Sequence, residues 1–268
     1  MVKVGIVMCS INLWEKYTKY ALDSVTKAMV MAGKKSNTMC SLLLIDNAST
    51  DETQVRASAM VAEFFVYHRN EDMWGFQKSV NYGVKYFFDK GFDYVLVLNN
   101  DIVLHPRAIV RLVERMQKGG VGMATCMDVS GEMKAEQMEP QRIAELSDGL
   151  KEQVPEAEHP CFSAFMINKD CWEHIGEMDE IFHPAFYEDN DYHYRMQLAG
   201  LPAIVYPPAM FYHYGSRTQL EALGRPLTDS SNQHAQFIRK WGGDPTKEVY
   251  KTPYNDQSKS ITSTKQNS

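Results

Sequence analysis

Short apolar runs alternate with amphipathic stretches through the first 117 residues, and this alternation restricts the chain to few architectures. The runs lie at 2–8, 41–46, 64–67 and 94–98. Between them the spacing predicts helices over 13–32, from about Asp51 onward, over 75–89 and over 106–117, the last opened by Pro106. Leu13, Tyr17, Tyr20, Val25 and Met29 form the rough apolar stripe of the first helix. Strands separated by helices are βαβ units, because parallel strands need a crossover connection. The fold class expected is therefore α/β: a Rossmann-like, mostly parallel central sheet flanked by helices, in a single domain over 1–244.

The pattern weakens from 127 to 158, a charged, methionine-bearing stretch expected to be a loop over a site or a surface excursion. Beyond it the chain predicts a strand at 161–167 and a short helix at 170–175. A longer helix at 188–199, a strand at 203–206 stopped by Pro207-Pro208, and a helix at 229–241 follow. Residues 245–268 are polar and expected to form a flexible tail.

Hydrophobic residues at 44% and charged residues at 23% describe an ordinary globular protein. A net charge of −6 provides no field for general nucleic-acid binding. No run of about 18 apolar residues occurs, so no transmembrane segment is expected. The apolar run at 2–8 is too short for a secretory signal and reads as a first strand. The five cysteines form no Cys-x-x-Cys pair, which points to reduced, buried thiols and a cytoplasmic protein.

The run Tyr94-Val95-Leu96-Val97-Leu98 stops on Asn99-Asn100-Asp101. These polar residues disfavour strand interiors, so the strand delivers them to a sheet edge. Ligands of open α/β sheets bind outside the carboxyl ends of the strands. Asp101 is thus a candidate ligand for Mg²⁺ or Mn²⁺, which take carboxylates together with substrate phosphates; simple turn formation is the alternative. Asp46, at the end of Leu42-Leu43-Leu44-Ile45, is suited either to accept hydrogen bonds from a nucleotide or to order its turn. In the stretch 68–83, Gly75, Ser79 and Gly83 share one helical face and permit close approach to a sheet or a diphosphate. Glu188, Asp189 and Asp191 open a helix whose apolar stripe holds Tyr187, Tyr194 and Leu198. One acid suffices as a helix-start charge, so the cluster also offers a general base. His213 is a candidate second metal ligand beside Asp101.

Taken in order, these segments resemble the family 2 glycosyltransferases, inverting enzymes of the GT-A fold, and in particular their rhamnosyltransferase-like branch. The resemblance spans roughly 2–215. It rests on Asp46-Asn47-Ala48-Ser49-Thr50-Asp51, Asn70…Gly75…Asn81…Gly83, Asn99-Asn100-Asp101, Phe186-Tyr187-Glu188-Asp189-Asn190-Asp191 and His213. It implies that Asp189 is the catalytic base and that Asp46, Asn47, Asp51, Asn70, Gly75, Asn81, Asn99 and Asn100 lie on the donor side. Asp101 and His213 would hold Mn²⁺ or Mg²⁺, and Glu188 and Trp74 would face the acceptor. Trp74 and Phe76 are suited to stack on sugars or to pack in the core. Two departures stand out: Asn99 replaces the first acid of the family's Asp-x-Asp, and Cys9-Ser10-Ile11-Asn12 replaces the usual Pro-Thr-Tyr-Asn. The implied partners are a nucleotide-sugar donor and a glycan, lipid-linked or protein acceptor. A nucleotidyltransferase of similar fold and an inactive sugar-nucleotide-binding module are the alternatives.

Overall fold

Strand β1 (Val2–Ser10) lies between β2 (Thr38–Asp46) and β4 (Tyr94–Asn99), and both run parallel to it. The computed structural model describes residues 1–130, 160–215, 217–224 and 230–244; most of the 127–158 stretch and the 245–268 tail fall outside the described residues. β3 (Phe65–Arg69) extends the parallel set to one edge beside β2. On the other side of β4 come β7 (Ala164–Asn168), β6 (Met123–Asp128), β8 (Ala203–His213) and β5 (Ile102–Leu104), giving the order β3-β2-β1-β4-β7-β6-β8-β5. β6 and β8 are parallel, whereas β7 runs antiparallel to β4 and β6, and β5 antiparallel to β8. The mixture has a local cause. The Asn99 N–H donates to the Ser163 carbonyl, so β7 starts at the carboxyl end of β4 and must run back along it.

The period-2 alternation of each buried strand serves two layers at once. Val4, Ile6, Met8, Leu42, Leu44, Leu96 and Leu98 pack under α1 (Lys19–Ser36) and α4 (Ala108–Gln117). Val7, Leu43, Ile45, Val95 and Val97 pack under α3 (Gly75–Asp89), α5 (Lys169–Ile175) and α6 (Glu188–Leu198). On the face shared by Gly75, Ser79 and Gly83, Gly83 turns to the sheet, where a Cβ would sit 2.5 Å from Val7 Cγ1, and Gly75 turns to His183 and Pro184. A short helix, α2 (Thr53–Ser58), leads toward β3. The predicted stripe of Tyr187, Tyr194 and Leu198 meets Phe237 and Trp241 of α7 (Ser231–Trp241), with Phe182 between them.

Three details differ from the sequence expectations. The first helix opens with a π-helical turn, Trp14–Thr18, after left-handed Asn12 and Leu13. Its inner face is then Ala21, Leu22, Val25, Ala28, Met29 and Ala32, while Tyr20 is exposed. Strand β8 is not stopped by Pro207-Pro208. Cys126 pairs with Tyr206 and Met127 with Met210, so both prolines sit in a bulge where no ladder N–H is required. Finally, β5 and β6 were not foreseen; β5 has only three residues, all buried, and does not alternate.

Candidate active site

Each side chain of the site arrives at a strand end or a helix start on one rim of the sheet. β1 ends at Ser10, β2 at Asp46 and β4 at Asn99, and the chain after β4 turns through Asn100 and Asp101. β8 resumes after its bulge and pairs His213 with Ile102, which brings the imidazole to the residue beside Asp101. From the other face, α6 presents Glu188 and Asp189 in its first turn. These elements enclose a cavity of about 500 Å³. Its wall includes Ser10, Asn47, Gly75, Asn99, Asn100, Asp101, Ser163, Glu188, Asp189, His213 and Thr218.

Asp101 is buried; its Oδ1 lies 3.2 Å from His213 Nε2, and its Oδ2 accepts the Arg217 N–H at 2.9 Å. Burial alone would lower the His213 imidazole. The hydrogen bond to Asp101 and the charges of Asp101 and Asp128 outweigh it and raise the pKa above the ordinary value. Adjacent ligands of an octahedral Mg²⁺ or Mn²⁺, at about 2.1 Å from the ion, stand about 3 Å apart. One oxygen and one imidazole nitrogen at 3.2 Å fit that edge. The described residues contain no group of three histidines, cysteines or acids able to hold a metal, so this pair fits only part of a shell.

The three acids opening α6 have three different surroundings. Glu188 is buried, and Gln77 Nε2 donates to its Oε2 at 3.1 Å and to the Phe182 carbonyl at 3.0 Å. Burial and the neighbouring charge of Asp189 push the Glu188 carboxyl up to about 8. Asp189 is half-buried on the cavity wall, with its Oδ1 accepting the Asn190 N–H at 2.8 Å. Asp191 faces away, fully buried between Arg195 Nε at 3.0 Å, Trp241 Nε1 at 2.8 Å and Lys240 Nζ at 2.6 Å. Asp191 thus belongs to the framework, and its charge is balanced there. Phe186 and Tyr187, just before these acids, both have positive φ, a strained arrangement that persists only where surroundings enforce it.

Several expected contact residues support the wall from behind. Asp46 is fully buried: its Oδ1 accepts the Ser49 N–H and hydroxyl and its Oδ2 accepts the Tyr67 hydroxyl at 2.6 Å, so it orders the turn below the cavity. Asn70 donates to Asn47 Oδ1, which also accepts from Ser79 and from the Trp74 N–H; of these asparagines only Asn47 reaches the cavity. Asn81 bridges both backbone groups of Met178, and Asp51 accepts the Trp14 and Thr53 N–H groups. The Trp74 ring packs with His68, Tyr82 and Lys78 rather than in the lining. Asp46, Asp51, Asn70, Asn81 and Trp74 thus stand behind the lining residues, and a direct contact of any of them with a donor or acceptor stays an expectation.

Gly75 is set by close approach: its φ is +77°, and a Cβ there would meet His183 Nδ1 at 2.7 Å and the Pro184 carbonyl at 2.8 Å. Ser163, Gln77 and Thr218 were missed by sequence reasoning. A lone glutamine on the inner face of α3 was the one available signal for Gln77. Ser10, a lining residue, has a buried Oγ with no protein hydrogen-bond partner.

No curated protein matches the chain. Among solved structures, the crystal structure of GalNAc-T7 with UDP, GalNAc and Mn²⁺ is similar, with a TM-score of 0.65 and 14% sequence identity. The match covers 96% of this chain and 52% of that one, so the chain spans about half the length of that protein. Among the described residues no helix is long and apolar enough to cross a membrane. The model of the family described as glycosyl transferase family 2 matches residues 5–176. With that match and a GT-A-like fold, the chain belongs to glycosyl transferase family 2.

Proposed function

We propose that this cavity moves a hexosyl or deoxyhexosyl group from a nucleotide-diphosphate donor to an acceptor hydroxyl, with inversion at the anomeric carbon. The observation that carries the reading is the meeting of Asp101–His213 and Glu188–Asp189 on one cavity wall. The first pair suits the anionic end of a donor, and the second suits a hydroxyl that must lose a proton. GalNAc-T7, of similar fold, was crystallised with UDP, GalNAc and Mn²⁺, which supports a nucleotide-sugar donor here as well.

Asp189 accepts the proton of the acceptor hydroxyl while its oxygen forms a bond to the anomeric carbon. The bond from that carbon to the diphosphate breaks on the opposite face, and its electron pair leaves with the diphosphate. Glu188, kept neutral by burial and by the charge of Asp189, leaves the negative charge on the group that needs it. In this state it also orients the acceptor by hydrogen bonding. Asp101 and His213 would hold Mn²⁺ or Mg²⁺, which when bound supplies Lewis-acid stabilisation of charge on the departing diphosphate. Asn47, Asn99, Asn100 and Ser10 supply polar contacts to the donor, and the rhamnosyltransferase-like branch and a cytoplasmic setting belong to the same proposal. The acceptor is a glycan, a lipid-linked sugar or a protein hydroxyl. Incubation with UDP-, dTDP- and GDP-sugars plus Mn²⁺ tests the reading. It predicts release of one nucleoside diphosphate, and binding without turnover of any donor in the presence of acceptors would favour an inactive binding module.

A further inference from the structure

The described wall of the cavity carries two carboxylates, Asp101 and Asp189, beside the neutral carboxyl of Glu188, and no lysine or arginine. A nucleotide diphosphate brings additional negative charge into this space. His213 is the one basic side chain among the described lining residues. A second cation at the Asp101 corner would therefore bind the donor more tightly, since charges there are shielded from water.

Arg217 stands at that corner. Its backbone N–H touches Asp101 Oδ2 at 2.9 Å, and the Thr218 hydroxyl donates to Asn100 Oδ1 at 2.9 Å, so this stretch is pinned against the Asn100-Asp101 turn. The guanidinium, however, is engaged elsewhere. Nε donates to the Tyr214 carbonyl at 3.0 Å, and Nη1 lies 3.5 Å from Glu221 Oε1. That ion pair is weak by position, because its side chains are 43% and 25% exposed. Glu221 does not depend on it: Lys16 Nζ lies 2.6 Å from Oε2, and the Tyr17 hydroxyl donates to Oε1 at 2.8 Å. Releasing Arg217 thus leaves Glu221 fully partnered.

We infer that Arg217 is a binding residue for the donor's diphosphate, its guanidinium turning from Glu221 to phosphate oxygens when the donor enters. A planar guanidinium matches phosphate oxygens in a bidentate manner, which an ammonium does not. The inference rests on the cavity being the donor site proposed above.

The test is calorimetric titration of the full chain in Mn²⁺ with UDP, dTDP and GDP and with the matching monophosphates. Arg217→Ala keeps the backbone N–H on Asp101, so it removes the side chain alone. It should weaken the preferred diphosphate roughly 10- to 100-fold and change monophosphate affinity little, while Arg217→Lys recovers part of the loss. Glu221→Gln keeps one oxygen to accept from Lys16 or Tyr17, loses the charge that holds Arg217, and should bind the diphosphate at least as tightly as wild type. Unchanged diphosphate affinity in a folded Arg217→Ala protein overturns the inference. An equal loss in Glu221→Gln also overturns it, by showing that the pair only holds the segment in place. If wild type binds none of the diphosphates, the donor-site reading itself fails and this inference falls with it.

Discussion

His213 Nε2 lies 3.2 Å from Asp101 Oδ1 although the residues are 112 positions apart in the chain. The contact exists because β8 crosses its proline bulge and pairs with β5 immediately after Asp101. If this pair anchors a cation under the donor diphosphate, Asp101→Ala should weaken nucleoside diphosphate binding by roughly tenfold or more in Mn²⁺ and far less in chelator. Titration with and without metal checks this. Identical metal dependence in variant and wild type would remove Asp101 from the ion.

Glu188 gives the chain a pH-dependent stability of definite sign. Its carboxyl is raised from 4.5 to about 8, so the fold favours the protonated form. That contribution is complete below about 4.5, shrinks as pH rises, and is gone above about 8. Glu188→Gln cannot ionise and should lack this slope. Between about pH 5 and pH 8 the wild type should lose, relative to the variant, on the order of a few kcal/mol of unfolding free energy. Denaturant titrations at both pH values measure it, and parallel pH profiles would show that Glu188 titrates normally.

Asp191 should behave as a framework residue. Asp191→Ala leaves Arg195 buried without its carboxylate, while Lys240 keeps Asp179, a loss of about 3–5 kcal/mol. Chemical denaturation should show this at neutral pH. A near-neutral effect on stability with loss of turnover would instead place Asp191 in the chemistry.

Helix α3 lies so close to β1 that Gly83→Ala should force the stiff Val7 side chain aside, at about 1–3 kcal/mol. A shift in the denaturation midpoint tests the packing, and none is expected in nucleotide affinity per folded molecule.

Much of this arrangement is legible in the sequence, for identifiable reasons. The strands β1, β2, β3 and β4 are continuous apolar runs that end on polar residues, and such runs announce both the strand and the rim where ligands bind. Asp101, Asp189 and His213 stand out because polar groups interrupt apolar or aromatic surroundings at element ends. What sequence patterns do not show is which way a polar side chain points. Asp189 and Asp191 differ by two positions on one helix, yet one faces the cavity and the other a buried arginine and a half-buried lysine. Asp46 and Asn81 likewise carry donors or acceptors that the turns beneath the site consume. The sequence predicts a β8 that ends at Tyr206 because prolines usually end strands, and only the register of β6 reveals the bulge that accommodates them.

Replacing Asp189 by Asn tests the account most directly, with donor binding and sugar transfer measured on the same preparation. The amide keeps the shape of the side chain and cannot take a proton from the attacking hydroxyl. Transfer should fall by about 10²- to 10⁴-fold, with nucleoside diphosphate affinity close to that of wild type. Transfer at the wild-type rate, with Asp189→Asn folded and donor-bound, would contradict the claim that this carboxylate is the base.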